Sequence, residues 1–164
     1  MALTKVSRGL LSTSIEDNGN ATAITIDSSE NVGIGVVPES WTYFSPLQAK
    51  RSSFAGSDGQ TGVGYNWYFD GAYKYIANDY ALAYQQNATS GVHSWSTAAS
   101  GTADNTISWS ERMRIDSSGN LLVGTTSDVV GDSSGSGFSY QASSGYLAIS
   151  RDTASATAAV QYLN

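Results

Sequence analysis

Alternating apolar and polar residues occur in two matching stretches of the chain, 24–36 and 113–125, which lie 89 residues apart. In each stretch a short alternating strand is followed by Asp-Ser-Ser and then by a second alternating strand, which is the pattern of a β-hairpin. A pattern that returns at a fixed offset indicates a repeated structural unit. The predicted core of the two hairpins consists of Ile24, Ile26, Val32, Ile34, Met113, Ile115, Leu121 and Val123.

The turns of the two hairpins are predicted from their polar residues. Asp27 and Asp116 can accept hydrogen bonds from backbone N–H groups two residues further on, and Gly119 can adopt the left-handed conformation that closes such a turn. Glu30 occupies the corresponding position of the first copy. A left-handed Glu30 would cost about 1 kcal/mol unless Asn31 adopts that conformation instead. Residues 143–149 faintly repeat 117–123 and suggest a third, degenerate hairpin.

The middle of the chain carries a further hairpin signal. Asp70-Gly71 stands between 66–69 and 72–75 and suits a two-residue type I′ turn, which would place Tyr68 opposite Tyr73 and Trp67 opposite Lys74. Further strands are expected at 80–86, 92–97 and 106–113. Residues 47–55 are ambiguous between a helical turn and a loop, and 57–62 reads as a turn. Short strands at this spacing are typical of an antiparallel sheet or a sandwich.

Composition changes this picture in one respect. Only 31 of the 164 residues, about 19%, are Leu, Ile, Val or Phe, just below the roughly 20% at which a chain becomes doubtful as a packed globule. The net charge of −6 is modest, and four Trp and ten Tyr supply further apolar area. We therefore expect a β-protein with a thin core that completes its burial against other chains. The acidic balance argues against nucleic-acid binding. The lack of a long apolar run argues against membrane insertion.

Two phrases of the repeat carry a family resemblance. "ITIDSSENVGIG" and "ERMRIDSSGNLLVGTT" closely resemble the recurring "rIdssGNVGIGtt" element of bacteriophage tail fibres, frequent in marine and cyanophage-type phages. "WYFDGAYKYI" and the N-terminal segment are similar to other parts of such fibres, so that the likeness covers most of residues 1–125. The resemblance implies a homotrimeric, mostly β fibre of antiparallel hairpins or small β-sandwich modules. It also implies a place in the virion tail, and the lack of a signal-peptide-like apolar stretch at the N-terminus predicts synthesis in the host cytoplasm.

The chain divides into four predicted parts. Residues 1–20 form an N-terminal arm, 21–46 the first hairpin and a connection, 47–126 a β-rich module that ends in the second hairpin, and 127–164 a Ser/Gly-rich connection with further β-structure at 158–163. The resemblance implies that the arm docks to the virion, whereas the residues alone also allow a frayed terminus. The predicted docking residues are Leu3, Lys5, Val6, Arg8, Leu10 and Leu11.

Candidate chemistry is sparse. His93 is the only histidine and there is no cysteine, so two-histidine and thiolate metal sites are excluded, and no Gly-x-Ser-x-Gly elbow supports a catalytic triad. Carboxylates among Asp70, Asp79 and Glu111 could form a glycosidase pair, but turn formation explains nearly all the Asp positions. We expect no enzyme, no metal and no cofactor. Four aromatic residues could stack on a host glycan or could pack in the core, which is the favoured alternative: Trp67, Tyr73, Trp95 and Trp109.

The predicted function is that of a structural virion protein, a bacteriophage tail fibre or its N-terminal part, which attaches to the tail and mediates host-cell adhesion. Its expected partners are further copies of itself in a homotrimer, tail, adaptor or baseplate proteins, and a host surface glycan. One alternative is a tail adaptor or baseplate protein that holds a separate fibre. The other, from a different class, is a polysaccharide-degrading tailspike.

Overall fold

The computed structural model describes residues 14–16, 22–127 and 137–150. Within these ranges the chain consists of strands and turns without a helix, which confirms the predicted mostly β fold. The strands are β1 (Ser14–Glu16), β2 (Thr22–Ile26), β3 (Val32–Ile34), β4 (Ser45–Ala49), β5 (Ser52–Gly56), β6 (Gln60–Tyr65), β7 (Trp67–Phe69), β8 (Tyr73–Tyr75), β9 (Asp79–Asn87), β10 (Val92–Gly101), β11 (Ser110–Ile115), β12 (Leu121–Val123), β13 (Gly137–Gln141) and β14 (Tyr146–Ser150).

Twelve of the strands form one sheet in nearly sequential order. The order is β1-β2-β3-β4-β5-β6-β9-β10-β11-β12-β13-β14, and β7 and β8 form a separate two-stranded sheet. Neighbouring strands are antiparallel except for β3 and β4, which are parallel. The β7–β8 hairpin therefore leaves the large sheet between β6 and β9. The expected boundary between residues 46 and 47 lies inside β4.

The two copies of the repeat fold as the same hairpin. In β2–β3, Ile24 pairs with Ile34, and at the equivalent positions of β11–β12, Met113 pairs with Val123. The Asp27 carboxylate accepts the N–H groups of residues 29 and 31 at 2.8 and 2.9 Å, and Asp116 accepts those of residues 118 and 120, both at 2.9 Å. The hairpin prediction and its Asp-based turn are confirmed.

The left-handed position is the same in both turns. Gly119 has a φ of 81° and Glu30 a φ of 64°. Glu30 itself, rather than Asn31, therefore takes this conformation, at a cost of about 1 kcal/mol. Asn31 instead donates its side-chain amide to Asp27 at 2.8 Å.

Hydrogen bonding within the turns shifts the pKa of both aspartates. Burial of each carboxyl acts to raise its pKa, but the hydrogen bonds from residues 31 and 29 to Asp27 together outweigh it and lower the pKa below its ordinary value. The equivalent bonds from residues 120 and 118, with the charge of Arg114, lower the pKa of Asp116. The turns thus favour ionised carboxylates.

The register predicted for the β7–β8 hairpin is wrong by one residue. Trp67 pairs with Tyr75, Tyr68 with Lys74 and Phe69 with Tyr73. The loop accordingly has three residues, 70–72, with Gly71 at a φ of 107°. This register brings the rings of Phe69 and Tyr73 to a centroid distance of 5.1 Å and joins Lys74 to Asp70 at 2.8 Å.

Residues 47–55 form neither a helical turn nor a loop, because they belong to the β4–β5 hairpin. The tight turn at Lys50 and Arg51, with Lys50 at a φ of 54°, contains neither Gly nor Asn and gives no conventional turn signal. A hairpin does occur at the suggested third copy, where β13 pairs with β14 and Gly145 has a φ of 69°. The predicted docking residues and 158–163 lie outside the described residues.

The core lies on one face of the large sheet, which we call the closed face. Small residues of the strands, Ala55, Ala81, Ala83 and Ala98, lie beneath a cover of aromatic and aliphatic side chains. The buried members of this cover are Trp41, Phe44, Trp67, Tyr68, Tyr75 and Ile107. Trp67 lies so close to β6 that a Cβ atom at Gly64 would be 2.0 Å from its Nε1. Glycine at this position is therefore needed for the cover to sit against the sheet.

Two buried amides hold the cover in place. The Asn66 Nδ2 donates to the carbonyl oxygens of Ala77 and Tyr80 at 2.9 and 3.0 Å, and its Oδ1 accepts the N–H of Ala77 at 2.8 Å. The Gln48 Oε1 accepts the indole N–H of Trp41 at 3.2 Å. These bonds compensate for burying the two amides.

The eight residues predicted to form the core of the two hairpins do not belong to the buried core of the chain. Ile26, Ile34, Ile115 and Val123 are exposed, and Ile24, Val32, Met113 and Leu121 are only partly buried. The fully buried aliphatic residue of the second hairpin is Leu122, which is 1% exposed and points to the other face of its strand. The alternation was interpreted correctly, but the fully buried aliphatic side chain lies on the opposite face of the strand.

Candidate interaction surface

The face of the sheet opposite the cover, which we call the open face, carries a continuous row of apolar side chains. Residues directly opposite one another on paired strands point to the same face. Each member of the row is the direct partner of the next across β2 to β14. The row consists of Ile26, Val32, Leu47, Phe54, Val63, Tyr84, Trp95, Met113, Val123, Phe138 and Ile149.

The open face leaves much of this apolar surface accessible. Ten large apolar residues on it have exposed fractions between 39% and 54%: Ile26, Ile34, Leu47, Phe54, Val63, Leu82, Ile115, Val123, Tyr140 and Ile149. Taking roughly 150–250 Å² for a fully exposed side chain of this size, they expose on the order of 800 Å². The largest apolar patch of an ordinary monomer is about 300–600 Å². The open face therefore has the character of an interaction surface.

The centre of the open face contains a shallow apolar hollow of about 280 Å³. Val63 and Leu82 line it together with Tyr84 and Trp95, whose ring centroids are 4.9 Å apart. At its rim the Arg112 Nε donates to the Thr97 hydroxyl at 2.8 Å. A pocket walled by aromatic residues, with an arginine at the edge, is typical of the energetic centre of a protein interface.

The open face has little charge. Arg112 is the one charged side chain among the described residues of its strands β2 to β14. The partner of the open face is therefore expected to be apolar, because this face has no pattern of charge that would select a charged partner.

The acids considered for catalysis lie in three separate ion pairs: Asp70 with Lys74, Asp79 with Arg51, and Glu111 with Arg114.

The structure places the four candidate glycan residues in two different regions. Trp67, with no exposed surface, is part of the core and is unavailable to a sugar. Tyr73 lies 5.5 Å from Trp67 and 6.0 Å from Trp109, measured between ring centroids, so these three rings form one packed group. Burial raises the pKa of the Tyr73 phenol. Only Trp95 belongs to the open face.

A polar groove is present at one end of the central strands, with a volume of about 310 Å³. It is lined by residues 57–61, 86–88 and 91–93, among which His93 accepts or donates a 2.7 Å hydrogen bond to the Tyr84 hydroxyl. Asp58 is its only carboxylate.

In the described ranges no group of three acidic, histidine or cysteine residues is arranged to hold a metal ion. Nor do those ranges contain a helix with the length and apolar character needed to cross a membrane.

Several residues of the open face were not singled out by sequence reasoning. Leu47 and Phe54 lie in the segment that the sequence leaves ambiguous, and Val63 lies between a predicted turn and a predicted strand. Leu82 and Tyr84 belong to the predicted strand 80–86 but were not marked as surface residues. Alternation of apolar with small or polar residues in 45–56 was the available signal. It is weak because small residues such as Ala49 and Gly56 also occupy open-face positions.

Comparison of the chain with known protein families, with curated proteins and with solved structures found no match in any of the three. What can be said about its function therefore comes from its repeated element and from the geometry of its two sheet faces.

Proposed function

We propose that the chain is a structural protein of a bacteriophage virion, a tail fibre or the N-terminal part of one. It assembles as a homotrimer, attaches to tail, adaptor or baseplate proteins through residues 1–20, and mediates adhesion to the host cell. The observation that carries the proposal is the repeat. The element that resembles those of tail fibres folds twice, in equivalent registers and with equivalent Asp-based turns, within one sheet.

A mechanical role suits this architecture. A meander of short strands whose order follows the chain can be extended by further repeats, because each strand pairs chiefly with its sequence neighbours. Adhesion in such a protein depends on many weak contacts that act together, since several fibres on one particle raise the effective concentration of each binding site. The ion pairs that hold Asp70, Asp79 and Glu111 give these acids a structural role and favour a non-enzymatic protein.

The first experiment is immunogold electron microscopy of virions with antibodies raised against the purified chain. Labelling along fibres that project from the tail is the expected result, whereas labelling confined to the tail body or baseplate would favour an adaptor. Absence of label from intact and disrupted particles would contradict a virion role. A reducing-end assay on host polysaccharide separately tests the tailspike alternative, and release of sugar would overturn the non-enzymatic assignment.

The trimer is tested by light scattering, which gives the solution mass, and the docking arm is tested by binding of the same proteins to isolated tails. The full chain is expected to have about three times the 17.2 kDa mass of one copy, and a chain without residues 1–20 is expected to keep the trimer but to lose binding to tails. A truncated chain that still binds tails would show that the arm is not the docking segment.

A further inference from the structure

Among the described residues, Leu, Ile, Val and Phe are concentrated on the face that the chain itself leaves uncovered. The structure describes the side chains of 22 Leu, Ile, Val and Phe residues, and 14 of them lie on the open face. Beneath the aromatic cover the closed face instead presents small residues, Ala55, Ala81, Ala83 and Ala98, with Gly62 and Gly64 against Trp67. This distribution places most of the described Leu, Ile, Val and Phe side chains outside the single-chain core.

We propose that the open face is the surface through which copies of this chain pack on one another around a shared axis. The inference rests on the proposed homotrimer and adds to it the interface. The occupant is a second copy, because the surface that covers this face must itself be apolar and must extend across many strands. Among the residues that the structure describes, the only apolar surface of that extent is the open face.

The area and the chemistry of the open face agree with this assignment. Its exposed apolar side chains, on the order of 800 Å², are comparable in area to the surface that one partner contributes to a standard protein interface. The hollow that Tyr84 and Trp95 help to line lies near the middle of the row and is suited to receive a side chain from a neighbouring copy. Arg112 also lines the hollow, and its Nε donates a hydrogen bond to the Thr97 hydroxyl.

The test uses charge substitution on the full chain. Phe54 is 54% exposed in a single copy, so a Glu there can remain hydrated in a monomer but would be buried without a partner in the assembly. Phe54→Glu is therefore expected to reduce the solution mass from about three times 17.2 kDa to 17.2 kDa while the circular dichroism of the sheet persists. The matched control is Val37→Glu, since Val37 is 71% exposed and lies outside the strands. It is expected to leave the mass unchanged.

The outcomes separate this inference from the proposed function. A trimer that persists in Phe54→Glu would overturn the open-face interface while leaving the trimeric fibre intact. A monomeric wild-type chain would contradict both the trimer and a second copy as occupant. Loss of mass in Val37→Glu as well would show that any added charge disperses the assembly, and would likewise overturn the specific role of the open face.

A second measurement avoids reliance on a disruptive variant. The chain has no cysteine, so a single Cys can be introduced and its rate of alkylation measured under native conditions. Val63→Cys on the open face is expected to react about tenfold or more slowly than Val37→Cys, and to lose that protection on dilution below the association range. Equal rates in the two variants at all concentrations would show that the open face stays accessible to solvent.

Discussion

The two faces of the large sheet differ in how they are built. On the closed face the strands present small residues, and the rings that cover them come from 41–44 and from the β7–β8 hairpin. On the open face the strands present Ile, Leu, Val and Phe, and nothing in the described part of the chain covers them. The comparison teaches that the strand face with the aliphatic side chains is not necessarily the core face. The core here is where Trp67 can approach the backbone at Gly62 and Gly64.

The largest difference between the faces is expected for tryptophan. Trp67→Ala removes the ring at the centre of the cover and should lower the free energy of unfolding by about 3–5 kcal/mol at every protein concentration. Trp95→Ala, on the open face, should cost about 1 kcal/mol in dilute solution, with a cost that grows with concentration. Urea unfolding at two protein concentrations measures both effects. Equal, concentration-independent costs would mean that the faces are not energetically distinct.

Adjacent leucines of β12 provide a smaller version of the same comparison. Leu122 is 1% exposed on the closed face, and Leu122→Ala should reduce the free energy of unfolding by about 2–4 kcal/mol. Leu121 points to the open face and is only partly buried, so Leu121→Ala should cost about 1 kcal/mol in a dilute chain. Thermal unfolding of the two variants side by side is the measurement. A larger effect at Leu121 would reverse our assignment of the core face.

The junction between the sheet and its cover depends on Asn66, which is buried and has a φ of 64°. Asn66→Ala should lower stability by about 2–3 kcal/mol, because it leaves backbone groups at Ala77 and Tyr80 unpaired and places Ala in a left-handed conformation. Asn66→Gly is the control, since it tolerates that φ but makes no side-chain bond. If the two variants unfold at the same denaturant concentration, the backbone conformation contributes nothing measurable.

Substitutions in the turns of the repeat should change the free energy of unfolding by about 1 kcal/mol. They lie outside both sheet faces and therefore do not test the difference between the faces. Gly119→Val places a branched residue at a φ of 81°, and a lower melting temperature is expected. Glu30→Gly relieves the same strain in the first hairpin, so a higher melting temperature is expected. Neither change alters the open face, and the solution mass should stay the same. An unchanged melting temperature in Gly119→Val would count against the left-handed turn.

The smallest expected effect is a dependence on acid pH through the two turn aspartates. Their pKa values are lowered in the folded chain from an ordinary value of 3.8, so their contribution to stability is present above that pH. It is lost as the pH falls through the lowered folded-state values. The double variant Asp27→Asn, Asp116→Asn should weaken the loss of stability below about pH 4, measured by urea unfolding across that range. An identical pH profile in both proteins would assign the acid sensitivity to other carboxylates.

Short-range patterns in the sequence determined the elements of this protein that depend on near neighbours. The alternation in 24–34 and 113–123 and the Asp-Ser-Ser turns led to both repeat hairpins, because a strand period of two and an aspartate-bonded turn act within a few residues. The mostly β fold followed from the same patterns. The trimer, the virion role and the docking arm remain predictions.

Only the tertiary structure decided the register of β7–β8, the existence of β4 and β5, and which sheet face became the core. The choice of core face depends on groups from different parts of the chain, such as the rings of Trp41 and Trp67, whose centroids are 5.2 Å apart, and the Tyr75 hydroxyl, which donates to the Ala99 carbonyl oxygen. Alternation shows that a strand has two unlike faces, but it does not show which of them another segment will cover. That choice was made by the aromatic cover, whose rings fit closely only over a face of small residues.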